Sequence, residues 1–441
     1  MRISERVSDP VAHEAALRER ALQKLVTAFI CTGLAFVLLP GTFLGVWNLI
    51  AISGSRAAHA LSPAWIQAHG QAQIFGWIGA FVIGIGFYSL SKMGQLRPFA
   101  VSRGWQSWVL WTPGVLLHWV AGVYAWYWRV TLPLSALLML AGFLVFFYTI
   151  RQHRPKRTPL PVIRKPEIWM RLVLASMLAF LAALLLNLGG AVYIALRASA
   201  PAFAPALDQR LLLISAWGFL VVSVWGFNAR WLPIFLGLRQ PHPHGLATAL
   251  GTLTAALLAG FVGAAMVCSV LLIAASALAI WALHVFRKSI QPAKLQGIHR
   301  SFPYFVRVAY VWLLTAAVLG LCASLFDRNG GVTGASRHAL TVGFIGTMVF
   351  SIGPRVLPAF CGMRVLFSPR LMLYALALLN LGCLLRIACE IPAYEMNLAL
   401  AWALLPFSAI AELIAVMLFV ANLVVTFARP PAHIAARRAA A

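Results

Sequence analysis

Apolar residues run along most of this chain in long unbroken stretches, separated by short basic or proline-rich segments. They do not show the one-faced or alternating pattern of elements that bury a single side. A helix needs ~20 apolar residues to cross a ~30 Å hydrocarbon core. On that measure the pattern predicts an all-α, polytopic transmembrane bundle of twelve spans, near 25–52, 66–90, 106–128, 132–150, 168–196, 210–233, 246–264, 266–286, 304–326, 338–359, 370–390 and 398–427. The stretch from Leu246 to Phe286 is one apolar run, whose length suits two helices with a very tight turn near Gly263. The chain therefore divides into a cytoplasmic N-terminal segment (1–24), a single transmembrane domain (25–427) and a basic tail (428–441), with no soluble module.

Composition agrees: 62% of 441 residues are hydrophobic, 10% are charged, and the mean hydropathy is +0.87. A soluble domain could not hide that much apolar surface. The net charge of +25 changes the picture only through its distribution. Lys and Arg crowd the N-terminal tail, 92–103, 151–165, 287–300 and the C-terminal tail, whereas the alternate loops hold Arg56, Arg129, Arg197, Arg210, Arg328 and Arg337. This is a positive-inside pattern that places both termini in the cytoplasm; it is read as topology and attraction to anionic membrane lipid, with no nucleic-acid partner. The first 24 residues mix both charge signs and do not form a cleavable signal. Cys31, Cys268, Cys322, Cys361, Cys383 and Cys389 are scattered through spans without a CxxC pair, which points to inert buried thiols.

Basic linkers at Arg151–Pro166 and Arg287–Pro303 divide the spans into three groups of four, and an internal register matches that division. Phe75-Gly76-Trp77, Trp217-Gly218-Phe219 and Val342-Gly343-Phe344 align in the second, sixth and tenth spans. Leu90, Leu232 and Leu357 follow at equal distance, the last two within Arg230-Trp231-Leu232-Pro233 and Arg355-Val356-Leu357-Pro358.

His69 and His338 precede the first and third of these glycines by seven and five residues, a difference of ~3 Å in helix rise. Two imidazoles nearly level on facing helices are what a bis-histidine haem requires, and Gly70, Gly76, Gly79, Gly84, Gly86, Gly343 and Gly346 leave room for a planar macrocycle or for close helix packing. The middle copy has Leu211 and Leu213 at those offsets. His118, beside Trp119 in the third span, is a further candidate ligand for haem or copper, or a satisfied polar residue. Charges inside spans default to function. Glu412, in the last span, is a candidate proton relay, and Arg386, one turn before Glu390, is a candidate partner for a haem propionate. Arg230 and Arg355 sit where side chains snorkel to the interface, as does His284; His13, His153, His242, His244, His299 and His433 fall on the cytoplasmic side, and His59 in the first outer loop.

Twelve spans in three arcs, with His69-Gly70 opening the second and His338 the tenth, resemble the catalytic subunit of haem–copper oxidases. In that superfamily the matching positions hold a low-spin haem. Its copper histidines have no counterpart here between Leu211 and Pro233 or between Leu246 and Ala264. The run His338-Ala339-Leu340-Thr341-Val342-Gly343-Phe344-Ile345-Gly346-Thr347-Met348 is more closely similar to the NnrS family of membrane proteins, associated with nitric oxide response and denitrification. Where that family carries a second early histidine this chain has Gln71, a poor metal ligand. The resemblance implies an inner-membrane protein with haem b, copper as a further cofactor, and nitric oxide as its ligand. Two other readings stay open: a twelve-helix secondary transporter, and a quinol- or nitric-oxide-reducing enzyme. So do a homo-oligomer and an unknown electron donor as partners.

Overall fold

Residues 10–57, 61–93, 98–153 and 167–430 are described by the structure, a computed structural model. His59, His433, most of the 151–166 linker and nearly all of the basic tail lie outside them. Among the described residues eleven helices are long and apolar enough to cross a membrane: α1 (His13–Ser55), α2 (Pro63–Leu90), α4 (Trp128–Gln152), α5 (Ile168–Arg197), α6 (Pro205–Leu236), α7 (Pro243–Phe261), α8 (Ala265–Ala282), α9 (Phe302–Phe326), α10 (Gly331–Phe360), α11 (Pro369–Met396) and α12 (Ala399–Ala428). With α3 (Val101–Tyr124), the twelve helices of the polytopic bundle are complete.

α3 corrects the pattern read from hydropathy. Arg103, Gln106, Thr112 and His118 dilute its apolar content, and it ends at Tyr124 instead of 128. The aromatic run belongs to a turn, with Ala125 and Tyr127 in the left-handed region, and Trp128 opens α4. From Pro10, the first described residue, helix runs without interruption into the first span. Gly263, at φ +86°, makes the turn between α7 and α8.

Each helix packs on its neighbours in sequence, and α12 closes on α1, so the twelve form a ring. α2, α6 and α10 are drawn inward and are the three most buried spans. Each carries a π-helical segment across its aligned glycine: Ala72–Gly79, Leu213–Val221 and Ala339–Gly346. The sequence repeat is thus also a repeat of backbone geometry, and the middle π segment touches the other two. A fourth π segment, Val37–Phe43, lies in α1 around Pro40, which cannot donate a hydrogen bond.

Aromatic side chains fill the arc between α2 and α6. Phe180 stacks on Phe219 at 3.9 Å and meets Phe75, Trp111 and Phe143 within 6 Å. Helices approach where side chains are missing. A Cβ at Gly142 of α4 would lie 3.0–3.1 Å from backbone atoms of Ser107 and Trp111, and the Ser107 hydroxyl donates to the Gly142 carbonyl at 2.7 Å.

The start of α10 is clasped by two carboxylates. Asp327 accepts from the amides of Gly330 and Thr333 at 3.0 and 2.8 Å and from the Thr333 hydroxyl; Glu395 accepts from the amides of Arg328, Asn329 and Gly331 at 3.1 Å. These amides include the orphan donors of a helix N-terminus. Burial pushes the Asp327 carboxyl up, but the Thr333 hydroxyl and amide outweigh it and hold the group below the usual carboxylate range.

Two outcomes follow. Gly142→Val forces a branched side chain against backbone atoms that cannot yield, and should cost about 1–3 kcal/mol in thermal or steric-trapping measurements; Gly189→Ala, with nothing within 4 Å of the added carbon, should cost none. Because Asp327 has a depressed pKa when folded, its stabilisation is present above its unfolded value of ~3.9 and fades as pH falls through the folded value. Protection of the 328–334 amides, relative to their intrinsic exchange at each pH, should fall in acid, and Asp327→Asn should flatten that dependence.

Candidate functional site

A cavity of about 470 Å³ opens between α1, α2, α10, α11 and α12, with walls reaching α3 and α6. His69, His338, His118, Arg386 and Glu412 all line it, so the residues singled out in the sequence come together in one chamber. The volume lies within the ~300–1,000 Å³ usual for cofactor sites.

His69 sits near the start of α2, three residues before its π segment. Its Nδ1 lies 2.8 Å from the carbonyl oxygen of Gly41 in α1. A carbonyl can only accept, so Nδ1 carries the hydrogen and Nε2 is left with its lone pair. The ring rests on a strip of α1 that has no side chain: a Cβ at Gly45 would lie 2.6 Å from its Cε1 and 2.8 Å from its Nδ1. Gly41 and Gly45, four residues apart, form one helix face. Neither stands out in the sequence, because their role depends on which helix α1 meets.

His338 ends the first α-helical turns of α10, and the next residue opens the π segment. Its Nδ1 lies 2.9 Å from the Gly334 carbonyl, one turn back, and 3.4 Å from Glu390 Oε2. The shorter contact fixes the tautomer; the carboxylate adds a field on the same nitrogen. Glu390 fits because Gly334 has no side chain: a Cβ there would fall 2.3 Å from Glu390 Oε1. Both histidines thus have Nδ1 committed to a backbone carbonyl and Nε2 uncommitted, the arrangement that orients imidazole as a metal ligand.

Arg386 forms a two-pronged pair with Glu390, at 3.0 and 3.2 Å, with both side chains almost fully buried. Arg337, the residue before His338, also lines the chamber, although its position in the sequence suggested an outer loop. Glu412 stands against Gly382 of α11 and has Oε1 buried without a hydrogen-bond partner. His118 is 5% exposed, and its Nδ1 is likewise unpartnered. Gln71, in place of the expected second histidine, is buried and donates to Met139 Sδ at 3.4 Å. Among the described residues, no three His, Cys, Asp or Glu side chains gather closely enough to hold a metal ion.

The donor set suits a porphyrin iron better than a bare ion. A macrocycle brings four nitrogens of its own and asks the protein for two axial ligands, a tall flat space and cations for its carboxylates. The chamber offers two uncommitted Nε2 atoms, glycines in its walls, and two arginines, of which Arg386 is already paired with Glu390.

The repeated arginines at the other end of the bundle have different surroundings. Arg230 pairs with Glu167 at 3.8 Å, while Arg355 lies over the Phe235 ring at 4.4 Å.

No curated protein matches this chain. The family described as NnrS protein matches residues 27–430, from within α1 to just past the end of α12. The match takes in every residue of the chamber. The chain belongs to the NnrS family.

Proposed function

We propose that this protein is a haem-b-binding protein of the bacterial inner membrane, with both termini cytoplasmic, serving the response to nitric oxide, nitrosative stress or denitrification. His69 on α2 and His338 on α10 are the residues that would hold the haem iron. The observation that carries this reading is the matched pair of Nδ1 contacts to the carbonyls of Gly41 and Gly334, which leaves two Nε2 atoms for one chamber. Bound haem would supply a one-electron iron couple and, where one imidazole is labile, a position for nitric oxide.

The chain's own residues hold and insulate that group. Gly41 and Gly334 fix the tautomers. Gly45 gives His69 its place on α1. Glu390, held by Arg386, puts negative charge beside the His338 ring and tempers the positive charge of the centre. Arg386 and Arg337 are the cations that would face the propionates. Glu412, with an unpartnered oxygen in the chamber, is the group placed to take up or release a proton as the charge of the site changes. Copper has less support than haem, since no cluster of three ligands surrounds His118 among the described residues.

Oxidised and dithionite-reduced absorption spectra of the detergent-purified protein test the reading directly. A sharp reduced α-band is expected in the parent, and it should be lost or displaced in His69→Ala and His338→Ala at normal membrane expression. A haem-free parent from haem-replete cells would sink the proposal.

Gly45→Val should give the same spectral loss as His69→Ala although it removes no ligand, because the added side chain occupies the imidazole's place. Gly251→Val, at a glycine with nothing within 4 Å, is the control and should keep the parental band.

A further inference from the structure

A second cavity, of about 200 Å³, lies beyond the histidine chamber towards the other end of the bundle, between α2, α4, α5, α6 and α10. Its walls are almost wholly apolar, with Phe81, Phe146, Phe227 and Met348 prominent. The few polar groups are largely engaged: the Ser176 and Ser223 hydroxyls bond to each other at 2.9 Å, and the Asn228 amide donates to the Tyr310 hydroxyl at 2.8 Å, leaving its Oδ1 over. Its lining includes Arg230, whose side chain is 45% exposed.

Three side chains line both this cavity and the chamber: Ile78, Leu220 and Ile345. All three are buried. Each lies two residues after the aligned glycine of its span (Gly76, Gly218 and Gly343) and inside its π segment. One side chain from each of the three inner helices, at one register of the repeat, therefore separates the two spaces.

We infer that Ile78, Leu220 and Ile345 form an aliphatic gate through which small uncharged gases pass between the far-end cavity and the histidine chamber. An apolar cavity of ~150 Å³ stays dry and accepts xenon or benzene, so a space of this size and lining favours apolar solutes over water. A narrow aliphatic ring excludes water and ions by dewetting. It does not exclude a diatomic molecule, which loses little hydration on entry. Isoleucine in a helix is held near one χ1 rotamer, whereas leucine is freer, so Leu220 is the moving member. The helix that lacks a histidine thus supplies the moving member of the gate. Delivery of the gas to a metal rests on the haem proposal; passage through the ring does not.

Xenon-129 NMR tests the passage without any cofactor. The parent should show two bound-xenon environments in exchange, Leu220→Trp should slow that exchange at least about tenfold, and Leu220→Ala should quicken it. Absence of bound xenon in the parent, or equal exchange in all three proteins, overturns the gate. Delivery is tested by carbon monoxide binding to dithionite-reduced protein in a His69→Gly background, which opens one iron position. The association rate should fall at least about tenfold with Leu220→Trp and rise with Leu220→Ala at unchanged starting spectra. Equal rates would show another entry and overturn delivery. A haem-free parent would defeat the haem reading alone, because the xenon result would still decide the passage.

Discussion

Three helices can sit at the centre of a twelve-membered ring only if the outer helices pack closely on them, and that requirement organises the rest of this protein. α2, α6 and α10 each meet it with a glycine at one register, Gly76 against Phe36 and Val115, Gly218 against Ala179 and Leu257, and Gly343 against Trp312, inside a π-helical segment. A π turn holds more residues than an α turn and is found preferentially at functional sites. Here it changes the direction in which side chains leave the helix just after His69 and just after His338. The chamber, its two imidazoles and the aliphatic ring beneath them therefore share one backbone irregularity, repeated three times.

The chamber also concentrates charge where the surroundings offer little solvation. A buried ion pair is costly to form and more costly to break, on the order of 3–5 kcal/mol when one partner is removed. Arg386 and Glu390 offset each other's desolvation through two hydrogen bonds, and Glu390 then lies 3.4 Å from the His338 ring. The pair is best understood through its position beside a proposed ligand, since an apolar pair of similar volume would stabilise the fold as well. Arg337 and Glu412 have no comparable two-pronged partner in the chamber and are correspondingly available to a bound group.

Much of this was legible in the sequence, for identifiable reasons. Hydropathy marks the spans because lipid demands long apolar helices, and it carried the third one to 128 because the aromatic run after Tyr124 is apolar enough to continue a span although its backbone turns. The three-part register and the matched histidines were readable because apolar background makes aromatic-flanked glycines and lone imidazoles stand out. The π segments were not readable, since a run of apolar residues has the same pattern at either helical pitch. Nor were the partners of the histidines. The carbonyl of Gly41, the bare strip at Gly45 and the place of Arg337 depend on contacts between helices distant in sequence. Gln71 marks the limit of motif reading: its identity removes a ligand, but only the fold reveals its turn towards Met139.

The repeat is threefold, yet the proposed chemistry is single, and geometry accounts for the difference. A planar group held by two axial ligands needs histidines on both of two facing helices. α2 and α10 each carry one; α6 has Leu211 and Leu213 at the matching offsets. The interfaces α2–α6 and α6–α10 can therefore offer one imidazole at most from these positions, and the first is filled by the stack around Phe180. What α6 contributes instead is aliphatic surface, with Leu211 in the chamber wall and Leu220 in the ring below. Divergence among three equivalent helices thus yields two that present an imidazole to the chamber and one that presents leucine side chains there instead.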